Sequence, residues 1–230
     1  LRQSACLVLL SLTSLLSLGL TSTGHAQAAA KIKVACVGDS ITQGSGIKDP
    51  AKDSYPAQLQ KLLGDDFEVK NFGHSGRTLL YGGDAPYIKS PKFQQAQDFN
   101  PDVVIIKLGT NDSKPQNWRG KRSFIPDYQR LISRFRQLPS QPVVWLCNPV
   151  PVFPEQWGIK DSVVHDEIIP RINSISREAG APIIDLYTPL KAFPQHFPDK
   201  VHPNAAGAAE MAKVIAPILQ KHRDQAPPMP

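Results

Sequence analysis

Lys33-Val-Ala-Cys-Val-Gly-Asp-Ser40 decides the fold. Val34-Ala-Cys-Val37 is an unbroken apolar run of strand length without polar alternation, so it reads as a strand covered on both faces. Gly38-Asp39 is its exit turn. That turn presents Ser40 at the carboxyl edge of a sheet, where open parallel sheets carry their ligands. Counting Lys33–Val37 as the first, similar runs recur at Phe67–Asn71, Val103–Leu108, Pro142–Cys147 and Pro182–Asp185. Helix-like stretches lie between and after them: Tyr55–Leu63, a less regular Phe93–Phe99, Ile125–Gln137, Val163–Ala179 and Ala205–His222. Gly64 ends one of these helices, and Gly180 with Pro182 ends another. Buried strands alternating with amphipathic helices predict an α/β fold, a five-stranded parallel sheet with helices on both faces. Pro149–Lys160, with Phe153, Pro154 and Trp157, reads as a loop over the sheet edge.

At 230 residues, 41% hydrophobic and 20% charged, the composition is that of one domain with a full core. The beginning differs. Arg2, the apolar run from Leu7 to Leu20 and the small residues Ala26-Gln-Ala28 have the pattern of a secretory signal over residues 1–28, with cleavage expected after Ala28 or Ala30. The apolar run is short and interrupted by hydroxyl residues, so no membrane span is expected after cleavage. The protein is therefore expected to be secreted or periplasmic. The domain is expected over residues 31–223 and a disordered, proline-rich tail over 224–230. Cys36 and Cys147 sit inside strand-like runs and read as buried free thiols, and no Cys/His spacing resembles a metal site. The formal charge of +6 becomes +5 without residues 1–28, whose only charged residue is Arg2. That excess is scattered, with no basic stripe interleaved with aromatics, which speaks against nucleic acid and is compatible with an acidic polysaccharide or a charged envelope surface.

Asp199-Lys-Val-His202 supplies the rest of a hydrolytic site. Ser-His-Asp chemistry needs a hydroxyl nucleophile, an imidazole to take its proton and a carboxylate to fix the imidazole tautomer. An acid three residues before the histidine lets one turn of backbone hold both. The serine must come from elsewhere, and Ser40 at the strand exit is well placed. Asn71-Phe-Gly-His-Ser-Gly-Arg-Thr78 follows the second strand and Gly109-Thr-Asn-Asp112 the third. An amide from the first loop and the Asn111 carboxamide from the second are candidate donors to an oxyanion. Each segment also has an ordinary structural use: Asp39 or Ser40 as a helix N-cap, Gly109–Asp112 as turn and cap, Asp199 and His202 as a surface pair before the last helix.

Gly38-Asp-Ser40, Gly73-His-Ser-Gly76, Gly109-Thr-Asn-Asp112 and Asp199-Lys-Val-His202 resemble, in order and spacing, the four blocks of the SGNH hydrolases, also called GDSL esterases and lipases. The similarity runs from about Lys33 to about Ala212. It implies a flavodoxin-like three-layer α/β/α sandwich. It also implies Ser40 as nucleophile, Asp199 and His202 as its triad partners, and the amides of Ser40 and Gly76 with the Asn111 side chain as oxyanion donors. Asn71–Gly83 and Lys107–Pro115 look most like bacterial carbohydrate esterases of the sialate O-acetylesterase-like or acetylxylan-esterase-like kind. No Gly-x-Ser-x-Gly elbow surrounds Ser40, so the α/β-hydrolase pattern is absent.

The expected activity is hydrolysis of short-chain, acetyl esters on carbohydrates through an acyl-enzyme, with no cofactor and no metal. Its partner is a small-molecule or oligosaccharide ester substrate. Alternatives on the same residues are a lysophospholipase or thioesterase, a glycoside-cleaving or acyl-transferring relative, and a carbohydrate-binding protein without turnover. Arg77, Trp118 and Trp157 are candidate substrate-binding residues, and Tyr87 is a further loop aromatic, because guanidinium and aromatic planes suit carboxylates and sugar faces. Arg77 leads because it follows Gly76 directly. His74, His165, His196 and His222 are given no role.

Overall fold

The computed structural model describes residues 30–225. The signal-like segment 1–28 lies outside the described residues, as do residues 226–230 of the expected tail.

β1 (Ile32–Gly38) runs into the one-turn helix α1 (Ser40–Gln43), and α2 (Pro50–Asp53) and α3 (Tyr55–Leu63) lead to β2 (Phe67–Gly73). α4 (Pro91–Asp98) precedes β3 (Val103–Lys107), and α5 (Pro115–Trp118) and α6 (Phe124–Arg136) precede β4 (Val143–Asn148). α7 (Asp161–Val163), a π-helical turn (Val164–Ile168) and α8 (Ile169–Ala179) precede β5 (Ile183–Asp185), followed by α9 (Tyr187–Leu190) and α10 (Ala205–Gln225). The five strands lie in the order β2-β1-β3-β4-β5, every neighbouring pair parallel. Strand order reverses between β1 and β3. Their carboxyl ends therefore flank the crevice where a doubly wound sheet takes its ligand.

Period-two alternation sends side chains into two separate cores. Val34, Cys36, Val103 and Ile105 pack with Tyr55, Leu59, Met211 and Ile215, from α3 and α10. Ala35, Val37, Val104 and Ile106 pack with Phe93, Tyr128, Phe135 and Ile172, from α4, α6 and α8. Each large aliphatic side chain so buried contributes roughly 1.5–3 kcal/mol. The layers are thus the three-layer α/β/α sandwich that the alternating pattern and the resemblance imply. Cys36 and Cys147 are free and buried, and burial, despite a contact with Tyr55, pushes the Cys36 thiol up to about 12, so it is held un-ionised.

Two segments differ from expectation. The expected helix Val163–Ala179 starts two residues earlier and contains the π-turn. Pro170 falls directly after the π-turn, where it has no N–H to give to the carbonyl one turn back. The last helix continues to Gln225, so the first two residues of the expected tail, Asp224 and Gln225, are helical.

Candidate active site

Ser40 is the first residue of α1, and Asp39 caps that helix by accepting the Ile41 N–H through Oδ1 at 3.0 Å. Gly38 is required by closeness rather than conformation, since a Cβ there would lie 2.1 Å from Thr42 Oγ1 and 2.7 Å from the Lys107 carbonyl. The turn that carries Ser40 is therefore packed against α1 and β3. Opposite it, His202 Nε2 is 2.8 Å from Ser40 Oγ and Nδ1 is 2.8 Å from Asp199 Oδ2. The second oxygen of Asp199 accepts the amides of Val201 at 3.0 Å and His202 at 2.7 Å. Burial raises the Asp199 carboxyl, but these amides and the His202 ring outweigh it and hold it below its ordinary range. The carboxylate thus stays ionised and accepts from Nδ1–H, with Nε2 turned towards Ser40 Oγ.

The turn carrying Asp199 and His202 is itself braced. Lys200 has φ of +73°, and its carbonyl accepts the Phe153 N–H at 2.8 Å. Phe153 packs tilted against Phe197 with ring centroids 5.2 Å apart, and Val201 is buried with Val152, Ile159 and Tyr187. The Pro149–Lys160 loop is therefore a buttress for His202, beyond its expected place over the sheet edge.

Gly76 and Asn111 approach the same point from β2 and β3. Gly76 has φ of +75°, a backbone that side chains rarely adopt, and its N–H makes no hydrogen bond among the described residues. Asn111 is buried, and Nδ2 donates to the Arg77 carbonyl at 3.1 Å, leaving the second amide hydrogen for a ligand. Its side chain makes no capping bond, since Thr110 holds the cap position of that turn. Asp112, fully buried, accepts the N–H groups of Leu79 and Leu80 at 2.9 and 2.8 Å. Burial drives its carboxyl up to about 7 against the pull of those two amides. The loops bearing Gly76 and Asn111 are thereby tied together.

Sequence reading missed the groups beneath the site. Lys107 and Asp39 have side chains with 0% exposure, and Nζ lies 3.1 Å from both Asp39 oxygens and 2.9 Å from Thr110 Oγ1. Burial pulls the ammonium down and the Asp39 carboxylate opposes it. The signal was present: a lysine closing the apolar run Val103–Leu108 in a central strand needs a buried acid, and β1 pairs Gly38 with Lys107, one residue before Asp39.

At the rim, Trp157 is 55% exposed and its ring centroid lies 5.5 Å from that of His202. Trp157 and Gly158 have φ of +53° and +74° in a tight Gln156–Ile159 turn, and a Gly158 Cβ would lie 3.3 Å from Pro115. Arg77 is half-buried and donates through Nη2 to His74 Nε2 at 3.0 Å, so His74 has a partner and a role that sequence did not assign it. Trp118 is a correction. It is 7% exposed, edge-on to Phe124 at 5.4 Å and covered by Arg171, which makes it core rather than a substrate plane. Tyr87 is likewise core, its hydroxyl donating to the Phe72 carbonyl. Among the described residues no three His, Cys, Asp or Glu side chains are grouped to hold a metal ion.

The sequence matches the GDSL-like lipase/acylhydrolase family over residues 36–210, from β1 into α10. The chain belongs to that family. Acylhydrolases cleave carboxylic esters, and this member carries all four blocks at the carboxyl edge of its sheet. It is 43% identical over 207 residues to an acetylxylan esterase of Xylanibacter ruminicola, covering 82% of this chain and 43% of the relative. The chain spans less than half the length of the curated relatives it matches. A carbohydrate acetylesterase from Sinorhizobium meliloti superposes with a TM-score of 0.67 at 19% identity, over 84% of this chain and 100% of that one. A two-domain esterase active on acetylated mannans superposes with a TM-score of 0.59 at 26% identity, over 87% of this chain and 52% of that one. No helix among the described residues is long and apolar enough to cross a membrane.

Proposed function

We propose that this family member removes acetyl groups from carbohydrates through a serine acyl-enzyme. The observation that carries this is the double engagement of His202, 2.8 Å from Ser40 Oγ on one side and 2.8 Å from Asp199 Oδ2 on the other. Ser40 Oγ attacks the acetyl carbonyl while Nε2 takes its proton, and Asp199 stabilises the imidazolium. The tetrahedral oxyanion is met by the amides of Ser40 and Gly76 and by Asn111 Nδ2. Collapse breaks the ester C–O bond, and Nε2 returns its proton to the departing sugar oxygen. Water then attacks the acetyl-serine by the same steps and releases acetate.

Acetylated sugar as the substrate is supported by two things. One is the 43% identical relative, an acetylxylan esterase. The other is the rim, where Trp157 presents an exposed indole beside the base in a backbone conformation disfavoured for a side chain of its size. The signal-like first 28 residues support action outside the cytoplasm, which cell fractionation with the intact N-terminus would check.

The test is acetate release from acetylated xylan and mannan alongside turnover of acetyl and octanoyl aryl esters. Acetate should be released from glycan, and the acetyl aryl ester should be the faster of the pair. Faster octanoyl turnover without acetate release would instead indicate an acyl-chain enzyme. Glycan binding with no burst on any ester would indicate a binder.

A further inference from the structure

Three loops supply the groups that meet the oxyanion in the mechanism proposed above, namely the amides of Ser40 and Gly76 and Asn111 Nδ2. Hydrogen bonds link these loops in a ring. Gln43, on the same helical turn as Ser40, accepts the Ser75 N–H at 2.6 Å, and the His74 N–H donates to the Gly38 carbonyl at 3.0 Å, which ties the first loop to the second. Asn111 Nδ2 donates to the Arg77 carbonyl at 3.1 Å, which ties the second to the third. Among the described residues no hydrogen bond runs directly between residues 39–43 and residues 109–113. Lys107 closes that side of the ring. Its Nζ donates to Asp39 Oδ1 and Oδ2 at 3.1 Å and to Thr110 Oγ1 at 2.9 Å. Asp39 directly precedes Ser40, and Thr110 directly precedes Asn111.

The form of this contact separates it from both a substrate contact and ordinary packing. An ammonium has three N–H donors, and these three acceptors use all of them. The Lys107 and Asp39 side chains have no exposure and Thr110 is buried, so Nζ has neither a spare proton nor a route to a substrate. Stability alone does not call for a charge here, since apolar side chains of similar volume often stabilise a core as well as a buried ion pair does. What an apolar cluster lacks is direction. Each end of this bond set is anchored: Asp39 also caps α1 through the Ile41 N–H at 3.0 Å, and the Thr110 carbonyl accepts the Ser113 hydroxyl at 2.8 Å. One ammonium therefore fixes the turn ahead of Ser40 against the turn ahead of Asn111.

We propose that Lys107 is a positioning residue for ester hydrolysis, setting where Asn111 stands relative to Ser40 through Thr110 on one side and Asp39 on the other. The proposal rests on the esterase mechanism above and adds what holds its oxyanion donors in register. A displacement of about 1 Å at such a site costs on the order of 10²-fold in rate, so a partial loosening is readable in kcat.

The test uses Thr110→Val, which nearly keeps the side-chain shape, removes the Oγ1 acceptor and leaves the Lys107–Asp39 pair, beside Thr110→Ser, which keeps the hydroxyl. On an aryl acetate Thr110→Val should lower kcat on the order of tenfold with KM nearly unchanged, and Thr110→Ser should stay within about twofold of the parent. Because the loss runs through Asn111, adding Thr110→Val to Asn111→Ala should lower kcat little further than Asn111→Ala alone. The second variant is Lys107→Met with Asp39→Asn, which removes the charge pair together with the tie to Thr110 and serves if Thr110→Val does not fold. Its kcat should stay low even where its melting temperature recovers. A Thr110→Val kcat within about twofold of the parent, a loss carried by KM, losses that multiply with Asn111→Ala, or a kcat that recovers along with the melting temperature would each overturn the positioning role while leaving the esterase mechanism standing. A parent protein that turns over no ester would instead overturn that mechanism, and this role with it.

Discussion

Lys107→Met removes the positive half of an ion pair whose two side chains have 0% exposure. The methionine fills most of the space, so the loss is electrostatic. Asp39 keeps its bond to the Ile41 N–H but faces the end of β3 with a charge and no counter-charge. Breaking a fully buried pair from one side costs about 3–5 kcal/mol, because the remaining ion stays desolvated. For a domain of roughly 200 residues the unfolding entropy is about 0.4 kcal/mol/K, which converts that loss into a fall in Tm of roughly 7–12 °C. Thermal melts at neutral pH would read it. Raising salt should change the fall little, since buried pairs are poorly screened. Asp39→Asn keeps a cap acceptor and removes the stranded charge, so the double variant should recover much of the single variant's loss. A fall below about 2 °C, or losses that simply add in the double variant, would refute the pair as a stabilising unit.

Ser40→Ala should lower kcat on an aryl acetate by on the order of 10⁴ or more while leaving the melting temperature nearly unchanged, and retention of a tenth of the activity would remove Ser40 as nucleophile. Asn111→Ala should lower kcat by roughly 10²- to 10³-fold with a much smaller change in KM. Asn111→Asp should do at least as much damage, since a carboxylate would face both the Arg77 carbonyl and the developing oxyanion, and an active aspartate variant would leave the oxyanion to backbone amides alone. Asp112, raised to about 7 in the folded chain from an ordinary 3.8, binds its proton more tightly folded than unfolded, so its contribution to stability is present below about pH 4 and is lost as pH rises towards 7. The gap in melting temperature between the parent and Asp112→Asn should therefore narrow from pH 4 to pH 7, and a gap that widens would contradict the assignment.

What sequence made legible follows from what periodicity and motif spacing encode. Val34–Val37 and Val103–Ile106 are continuous apolar runs because both sheet faces are covered, and strand direction follows once helices must fit between them. The Ser40–His202–Asp199 contacts were readable because Asp199 and His202 are three residues apart and Ser40 follows directly on the exit of a strand. Long-range pairing left weaker traces. Lys107 pairs with Asp39 at a separation of 68 residues, and Asp112 reaches Leu79 and Leu80 across more than thirty. Trp118 and Trp157 are equally loop-like in sequence. Only packing against Phe124 sinks the first, and only the turn at Gly158 lifts the second into solvent. His74 was passed over because an isolated histidine carries no partner in its own sequence neighbourhood; Arg77 is three residues away but Ser90 is sixteen.

Ser40 and His202 meet across 162 residues of chain. Ser40 lies just past the first strand and His202 just ahead of the last helix, so their contact closes a loop around almost the entire described fold. Native-distance contacts of this length form late, after the loop-closure entropy of everything between them has been overcome. A partly folded chain whose segment between α9 and α10 is not yet seated against α1 cannot hold imidazole against hydroxyl, however complete its sheet. On the mechanism proposed above, turnover is then a strict gauge of global folding: in a refolding experiment, ester hydrolysis should appear with the slowest structural phase.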